Sequence, residues 1–311
     1  MTAGASASPL APAPAREATR DLTSVVIVAA DSGAGLVECV AAVLANGPAV
    51  EVLVVDNDSH DASIEQVEAR FGTNVNVRVV RNGANLGFGK GCNRGAAAAR
   101  GDALLFLNPD CMVDATAVAS LRRLLDADSR IGLIGAMQVD AQGRVDPASR
   151  RHDPLLRRAL ASVSGFARLA PGAGVEIKTD PVMPAEDADA ISGALMLMSR
   201  TAFDRVGGFD EGYFLHCEDL DLSRRVRDAG YRVVCATAIR VLHVKGGSSR
   251  ARPVFVAWHK HRGMWRWFDK FDPAARNPLL RGLVWSGIWL AFAARLPLIA
   301  GRRALGALAR Q

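Results

Sequence analysis

A chain of 311 residues that is 50% hydrophobic and 23% charged can bury the core of one large or two small domains, which excludes an intrinsically disordered polymer. Its net charge is +6, but residues 251–311 hold eleven Arg and Lys against Asp269 and Asp272 alone, so the remainder is slightly acidic. Five scattered cysteines, Cys39, Cys92, Cys111, Cys217 and Cys235, show no C-x-x-C spacing, which argues against a disulfide framework or a zinc site and for a reducing cytosol.

Residues 1–21 are rich in Ala, Pro, Ser and Thr, lack the apolar stretch of a secretory signal, and read as a disordered tail. From there the pattern alternates. Apolar, β-branched runs at Val25 to Ala30, Val50 to Val55, Val75 to Val80, Ala103 to Leu107 and Ile131 to Gln138 predict strands. Helical patterns at Leu36 to Leu44, Ser63 to Phe71, Gly87 to Arg100 and Thr116 to Asp126 lie between them. Such alternation predicts parallel strands joined by crossover helices, a nucleotide-binding type of half. From Asp140 to Ala188 the periodicity fades into a polar stretch with His152, Arg157, Arg158 and Arg168, which reads as an acceptor-binding loop or an ordinary connection. Order returns at Ala190 to Met198, followed by the turn Gly207-Gly208-Phe209-Asp210, a helix over Glu218 to Ala229 and two short strands, Arg232 to Cys235 and Ile239 to His243.

Carboxylates mark the chemistry. The run Ala103 to Leu107 empties into Asn108-Pro109-Asp110, placing Asp110 at a strand's carboxyl end, where open α/β sheets bind ligands. About a hundred residues on, Glu218-Asp219-Leu220-Asp221 gathers three acids at the start of a helix, whose N–H groups favour their ionised forms. One acidic group holding a metal on a phosphate leaving group and another removing a proton from an attacking hydroxyl is the division of labour such a pair suits. A structural Asn-Pro-Asp turn and helix capping are the plainer readings of the same residues. Arg225, one turn beyond Asp221, is placed to pair with it.

Seven motifs in order resemble family 2 glycosyltransferases of the GT-A fold, particularly their rhamnosyltransferase-like branch: Val54-Val55-Asp56-Asn57-Asp58-Ser59, Asn85-Leu86-Gly87-Phe88-Gly89 with Asn93 and Gly95, Leu107-Asn108-Pro109-Asp110, Ser192-Gly193-Ala194, Gly207-Gly208-Phe209-Asp210-Glu211, Glu218-Asp219-Leu220-Asp221-Leu222, and His243 before Gly246-Gly247-Ser248. The resemblance covers roughly residues 24–250. It implies a Rossmann-like mixed sheet of the GT-A nucleotide-diphospho-sugar transferase type, with residues 22–250 as the catalytic domain. Ala29, Asp31, Asp56, Asn85, Asn108 and Lys245 then bind the nucleotide-sugar donor, although Asp56 is also a natural turn cap. Asp110 and His243 hold a divalent metal, Mg2+ or Mn2+, and Asp219 is the general base, with Glu218 and Asp221 beside it in the catalytic cluster. The family usually has Thr-Tyr-Asn where this chain has Ala29-Ala30-Asp31, so an aromatic wall beside the donor base must come from elsewhere. A lipid-linked saccharide acceptor follows from the same branch. A catalytically silent GT-A domain acting as nucleotide binder or membrane scaffold is the alternative, and a nucleotidyltransferase is disfavoured because no Gly-rich, basic triphosphate loop follows the first strand.

Residues 251–311 carry all five tryptophans, Trp258, Trp265, Trp267, Trp285 and Trp289, interleaved with Lys and Arg. This composition predicts an amphipathic helical extension on an anionic membrane surface. No nucleic-acid module accompanies it, so no nucleic-acid partner is expected. Thirteen uncharged residues between Arg281 and Arg295 fall short of the roughly twenty that span a bilayer, and Pro297 is expected to break the helix. A peripheral protein on the cytoplasmic face is the expectation, with helix packing or a homodimer contact as the competing use of the segment.

Overall fold

The computed structural model describes residues 18–170, 172–177, 180–244 and 252–308. Lys245, the Gly246-Gly247-Ser248 motif and residues 1–17 of the expected tail lie outside the described residues. The first half follows the expected alternation: β1 (Thr19–Ala29), α1 (Gly35–Leu44), β2 (Val50–Asp56), α2 (Ser63–Phe71), β3 (Val77–Arg81), α3 (Phe88–Ala98) and β4 (Gly101–Leu107). Thr19 and Arg20 therefore belong to the first strand and not to the tail. Next come β5 (Cys111–Met112), α4 (Ala117–Ala127), β6 (Ile131–Val139), β7 (Arg150–Arg151), α5 (Leu156–Val163), β8 (Glu186–Asp187), β9 (Ala190–Ile191), β10 (Leu195–Ser199) and α6 (Arg200–Arg205). The chain continues through α7 (Glu218–Asp228), β11 (Arg232–His243), α8 (Pro253–Phe271) and α9 (Pro278–Leu308).

The main sheet runs in the order β3-β2-β1-β4-β10-β6-β11-β5, with β8 on β11. β1 to β4 pair in parallel, whereas β10 lies antiparallel to both β4 and β6. The sheet is thus mixed, as the resemblance implies, with parallel pairing among β1 to β4 and between β6 and β11. The ordered segment over Ala190 to Met198 holds two strands, β9 and β10, parted by a turn at residues 192–194, and the two short strands expected after it are one strand, β11, whose register against β6 shifts between Ala236 and Arg240.

Helices cover both faces of the sheet. Val25, Ile27 and Ala29 enter one core cluster while Val26 and Val28 enter the other, which is why β1 reads as a continuous apolar run with no polar alternation. Each fully buried Val, Leu or Phe of this kind contributes roughly 1.5–3 kcal/mol. The small residues of α3 have a packing reason. A Cβ on Gly95 would stand 2.3 Å from Val26 Cγ1, so only glycine lets α3 lie this close to β1. Away from the ligand end, fully buried Glu51 accepts hydrogen bonds from Ser24, Arg78 and Arg100, closing the opposite end of the sheet.

The C-terminal helices form a hairpin. Trp258 of α8 packs on Trp289 and Phe292 of α9, His261 on Phe292, and the Arg281 guanidinium sits over Trp265. Two expectations are corrected here. Pro297 lies inside a continuous helix, since losing one N–H bond leaves the turns on either side intact, and Pro278–Gly301 is long and apolar enough, at mean hydropathy 1.6, to cross a bilayer by length and composition. Nor does all the basic charge face outward: Arg266 and Lys270 bind Asp210, Lys270 also binds Asp221, and Trp267 is buried.

Candidate active site

The carboxyl ends of β1, β2 and β4 open onto a cleft. Ala30, Asp31, Asn57 and Asn85 line one side and Asn108, Pro109 and Asp110 the other. Phe88, Phe214 and Phe255 also line it, the aromatic surface that Ala29-Ala30 does not supply. Residues Arg252, Phe255 and Val256 place the start of α8 in the wall of this cleft.

The expected donor residues divide by position. Asp31, exposed and with φ 52°, lines the cleft and accepts from His60 N at 2.7 Å. Ala29 is fully buried with its carbonyl taken by Asn57 N, so Ala30 is the cleft-facing residue of that strand end. Asp56 is nearly buried and caps the following turn by accepting from Ser59 N at 2.9 Å, while its neighbour Asn57 reaches the cleft. Asn85 lines the cleft and accepts from Gly87 N, and Asn108 lines it beside Asp110. Asn57 escaped the sequence reading although its motif did not, because a neutral amide between two acids carries no signal of its own.

β5 pairs with β11 so that His243 stands opposite Cys111, which brings His243 Nε2 within 3.2 Å of Asp110 Oδ1. The buried Gln138 Oε1 lies 3.1 Å from His243 Nδ1. With that amide oxygen accepting, Nδ1 carries the proton and Nε2 turns a lone pair toward Asp110. Two lone pairs facing each other at this distance call for a cation or proton between them, so the pair fits a divalent ion. The third group nearby, Cys111, is fully buried, and burial next to Asp110 pushes its thiol well up, so it remains protonated.

The acidic cluster is split by helix phase. Asp219 Oδ2 accepts from Gly193 N at 3.1 Å and from Arg151 Nη2, and Oδ1 from Leu220 N. It is thereby kept near Asp110, because Asn108 N bonds Ala194 O, the residue after Gly193. Asp221 is fully buried and points away, bound by Arg225 Nε and Lys270 Nζ. Its catalytic assignment is corrected: Oδ1 is held by Arg225 within α7, and Oδ2 ties α7 to α8 through Lys270. Removing one partner of a buried pair strands the others, so Asp221→Ala should destabilise the fold by about 3 kcal/mol in denaturant unfolding. Unchanged stability would show that the contact is not structural.

Glu218 is also turned inward. Burial, and then the Asp219 carboxylate, push its carboxyl up to about 8, so near neutrality it is a protonated acid. The sign follows. A raised acid stabilises the fold fully below its ordinary value near 4.5 and loses that contribution as pH rises through about 8. Glu218→Gln should therefore melt with the parent at pH 4 and above it at pH 9, by roughly 2–4 °C per kcal/mol recovered. Coincident curves at both pH values would remove the assignment.

The turn that launches α7 is strained. His216 and Cys217 have φ of 69° and 71°, two consecutive left-handed residues that are not glycine. Gly263 of α8 lies directly over them, where a Cβ would stand 2.8 Å from His216 O.

A mixed sheet with a cleft at its carboxyl ends, an Asp–His pair and a held carboxylate defines a GT-A type glycosyltransferase. The model for glycosyl transferase family 2 matches residues 24–206, and that for the N-terminal domain of galactosyltransferase matches residues 174–245. An N-acetylglucosaminyl-diphospho-decaprenol L-rhamnosyltransferase of Mycobacterium tuberculosis is 32% identical over 91% of this chain and 99% of its own. The chain belongs to glycosyl transferase family 2, in its rhamnosyltransferase-like branch. A rhamnosyltransferase of Escherichia coli, WbbL, is 25% identical over 48% of this chain and 55% of its own. Among solved structures, GalNAc-T7 with UDP, GalNAc and Mn2+ superposes at TM-score 0.59 and 20% identity, covering 80% of this chain and 47% of its own. The mannosyltransferase PcManGT of Pyrobaculum calidifontis with GDP-Man and Mn2+ superposes at TM-score 0.57 and 18% identity, covering 96% and 82%.

Proposed function

We propose that the protein is a metal-dependent, inverting glycosyltransferase that moves rhamnose from dTDP-rhamnose to a saccharide hydroxyl on a polyprenyl-diphosphate-linked acceptor, in cell-surface polysaccharide synthesis. The observation that carries this reading is the near full-length similarity to the mycobacterial relative, whose name states both a rhamnosyl group and a diphospho-decaprenol acceptor. Asp219, positioned by Arg151 and the Gly193 amide, takes the proton of the attacking hydroxyl. Asp110 and His243 would hold the Mg2+ or Mn2+ ion, which when bound neutralises charge on the departing diphosphate. The aromatic rings and Asn57 position the nucleotide. Incubation with dTDP-rhamnose and other nucleotide sugars, with N-acetylglucosaminyl-diphospho-polyprenol as acceptor, tests the reading. Rhamnosylated lipid is expected, and transfer of a different sugar would overturn the donor assignment.

The α8–α9 hairpin supports a peripheral site on the inner membrane face. Residues 281–292 of α9 are fastened along α8, whose Lys260, Arg262 and Arg266 cannot enter hydrocarbon, so this length of α9 lies in the interface plane. Exposed Leu279, Leu283, Trp285, Leu290 and Leu298 form its apolar surface. Sedimentation with anionic vesicles is expected at low salt and to weaken as salt rises. Deletion after Asp272 should abolish it. Full-length protein left in the supernatant at low salt would make the hairpin a packing or dimerisation element.

A further inference from the structure

Beside Arg151, whose guanidinium binds Asp219, lies a second cavity of about 480 Å³, within the roughly 300–1,000 Å³ range of ligand pockets. Its lining includes Asp146, Ala148, Arg151, Ser162 and Glu176. Arg151 links this cavity to the candidate base, since it lines the cavity and its guanidinium grips Asp219. β7 pairs with β9 to put it there. A smaller cavity adjoins across Gly172, lined by Arg157, Arg158, Ala161 and Phe166. Arg158 is fixed by the Gly172 and Gly174 carbonyls, and among the described residues no acid pairs with exposed Arg157. Beside these arginines, α5 and the turn after it expose Leu160 by 59%, Val163 by 88%, Phe166 by 55% and Leu169 by 82%. So much exposed apolar surface in ten residues of a soluble face needs an occupant.

We propose that these three features are one acceptor site, read outward from the base: the larger cavity takes the acceptor saccharide, Arg157 and Arg158 take the diphosphate, and the apolar ridge Leu160, Val163, Phe166 and Leu169 takes the first isoprenoid units. The order polar cavity, paired cations, apolar ridge matches the order of chemistry along a saccharide-diphosphate-lipid and no soluble sugar. A planar guanidinium suits a diphosphate oxygen pair. Arg151 then joins the acceptor cavity to Asp219, so that the base lies beside the acceptor hydroxyl. This deepens the proposed function and rests on its lipid-linked acceptor.

The test is direct binding without donor, using N-acetylglucosaminyl-diphospho-polyprenol of long and short chain and an N-acetylglucosaminide without diphosphate. Ala148→Trp, which fills the larger cavity, should weaken all three by at least about tenfold. Arg157→Ala should weaken only the two diphosphates, also by about tenfold. Leu160→Asp, on the surface and safe for folding, should weaken the long-chain ligand alone. Equal losses for every ligand in the Arg157 and Leu160 variants, or unchanged affinity in a folded Ala148→Trp, would overturn the site. Because donor turnover is scored separately, failure of the parent to consume any nucleotide sugar would count against the transferase reading while the binding data still decide the site.

Discussion

Asp219→Asn should lower turnover by roughly a hundred- to ten-thousandfold, the contribution of a positioned general base, while leaving donor affinity unchanged. The amide keeps the shape of the side chain and still accepts one hydrogen bond from Gly193 N, so α7 and the β9–β10 turn should stay where they are. What it cannot do is receive a proton from the acceptor hydroxyl or pair with Arg151 as an anion. Two measurements separate these roles: kcat with saturating acceptor, and donor Kd by titration. Turnover within threefold of the parent would transfer the base to another group, and a loss matched by weaker donor binding would make Asp219 a donor residue.

The second large effect is expected at Asp110. Asp110→Ala should abolish metal-stimulated transfer with the fold retained, because it removes the only carboxylate facing His243 Nε2 among the described residues. Without a cation there, charge on the leaving diphosphate has no hard partner, and a loss of about a thousandfold or more is expected. His243→Ala should lose less, since the carboxylate remains. Binding of Mn2+ followed by electron paramagnetic resonance gives a readout apart from turnover: affinity should fall in both variants. Full activity of the parent in a chelator, or unaltered Mn2+ binding in Asp110→Ala, would remove the metal role.

The parallel half was legible because strands buried on both faces appear as unbroken apolar runs, and the runs ending in Asp56 and Asp110 marked the ligand end of the sheet. The direction of β10 was not, since Leu195–Ser199 reads the same in either orientation and nothing in an apolar run says which way it is paired. Arg151 was invisible for a related reason: a two-residue strand has no periodicity, and its partner lies forty residues away. The grouping of Asp219 with Asp221, by contrast, erred against available geometry. At 100° per residue the two differ by 200°, so one facing the reaction forces the other inward. Glu218 was read as ionised because nothing in its motif tells that α8 closes over the helix start. The long apolar helix was underestimated by treating Arg281 and Arg295 as limits, although Arg281 is neutralised by Asp269.

The contact of Gly263 with the His216-Cys217 turn governs how such enzymes can be recombined. A chimaera that borrows another enzyme's C-terminal hairpin will keep its catalytic geometry when the junction falls after Asp272, leaving α8 native. Joined before Pro253, it imports a foreign helix whose side chain at this position must either be glycine or push on the residues that aim Asp219. Grafting at this end of the fold is therefore a matter of exchanging α9 alone.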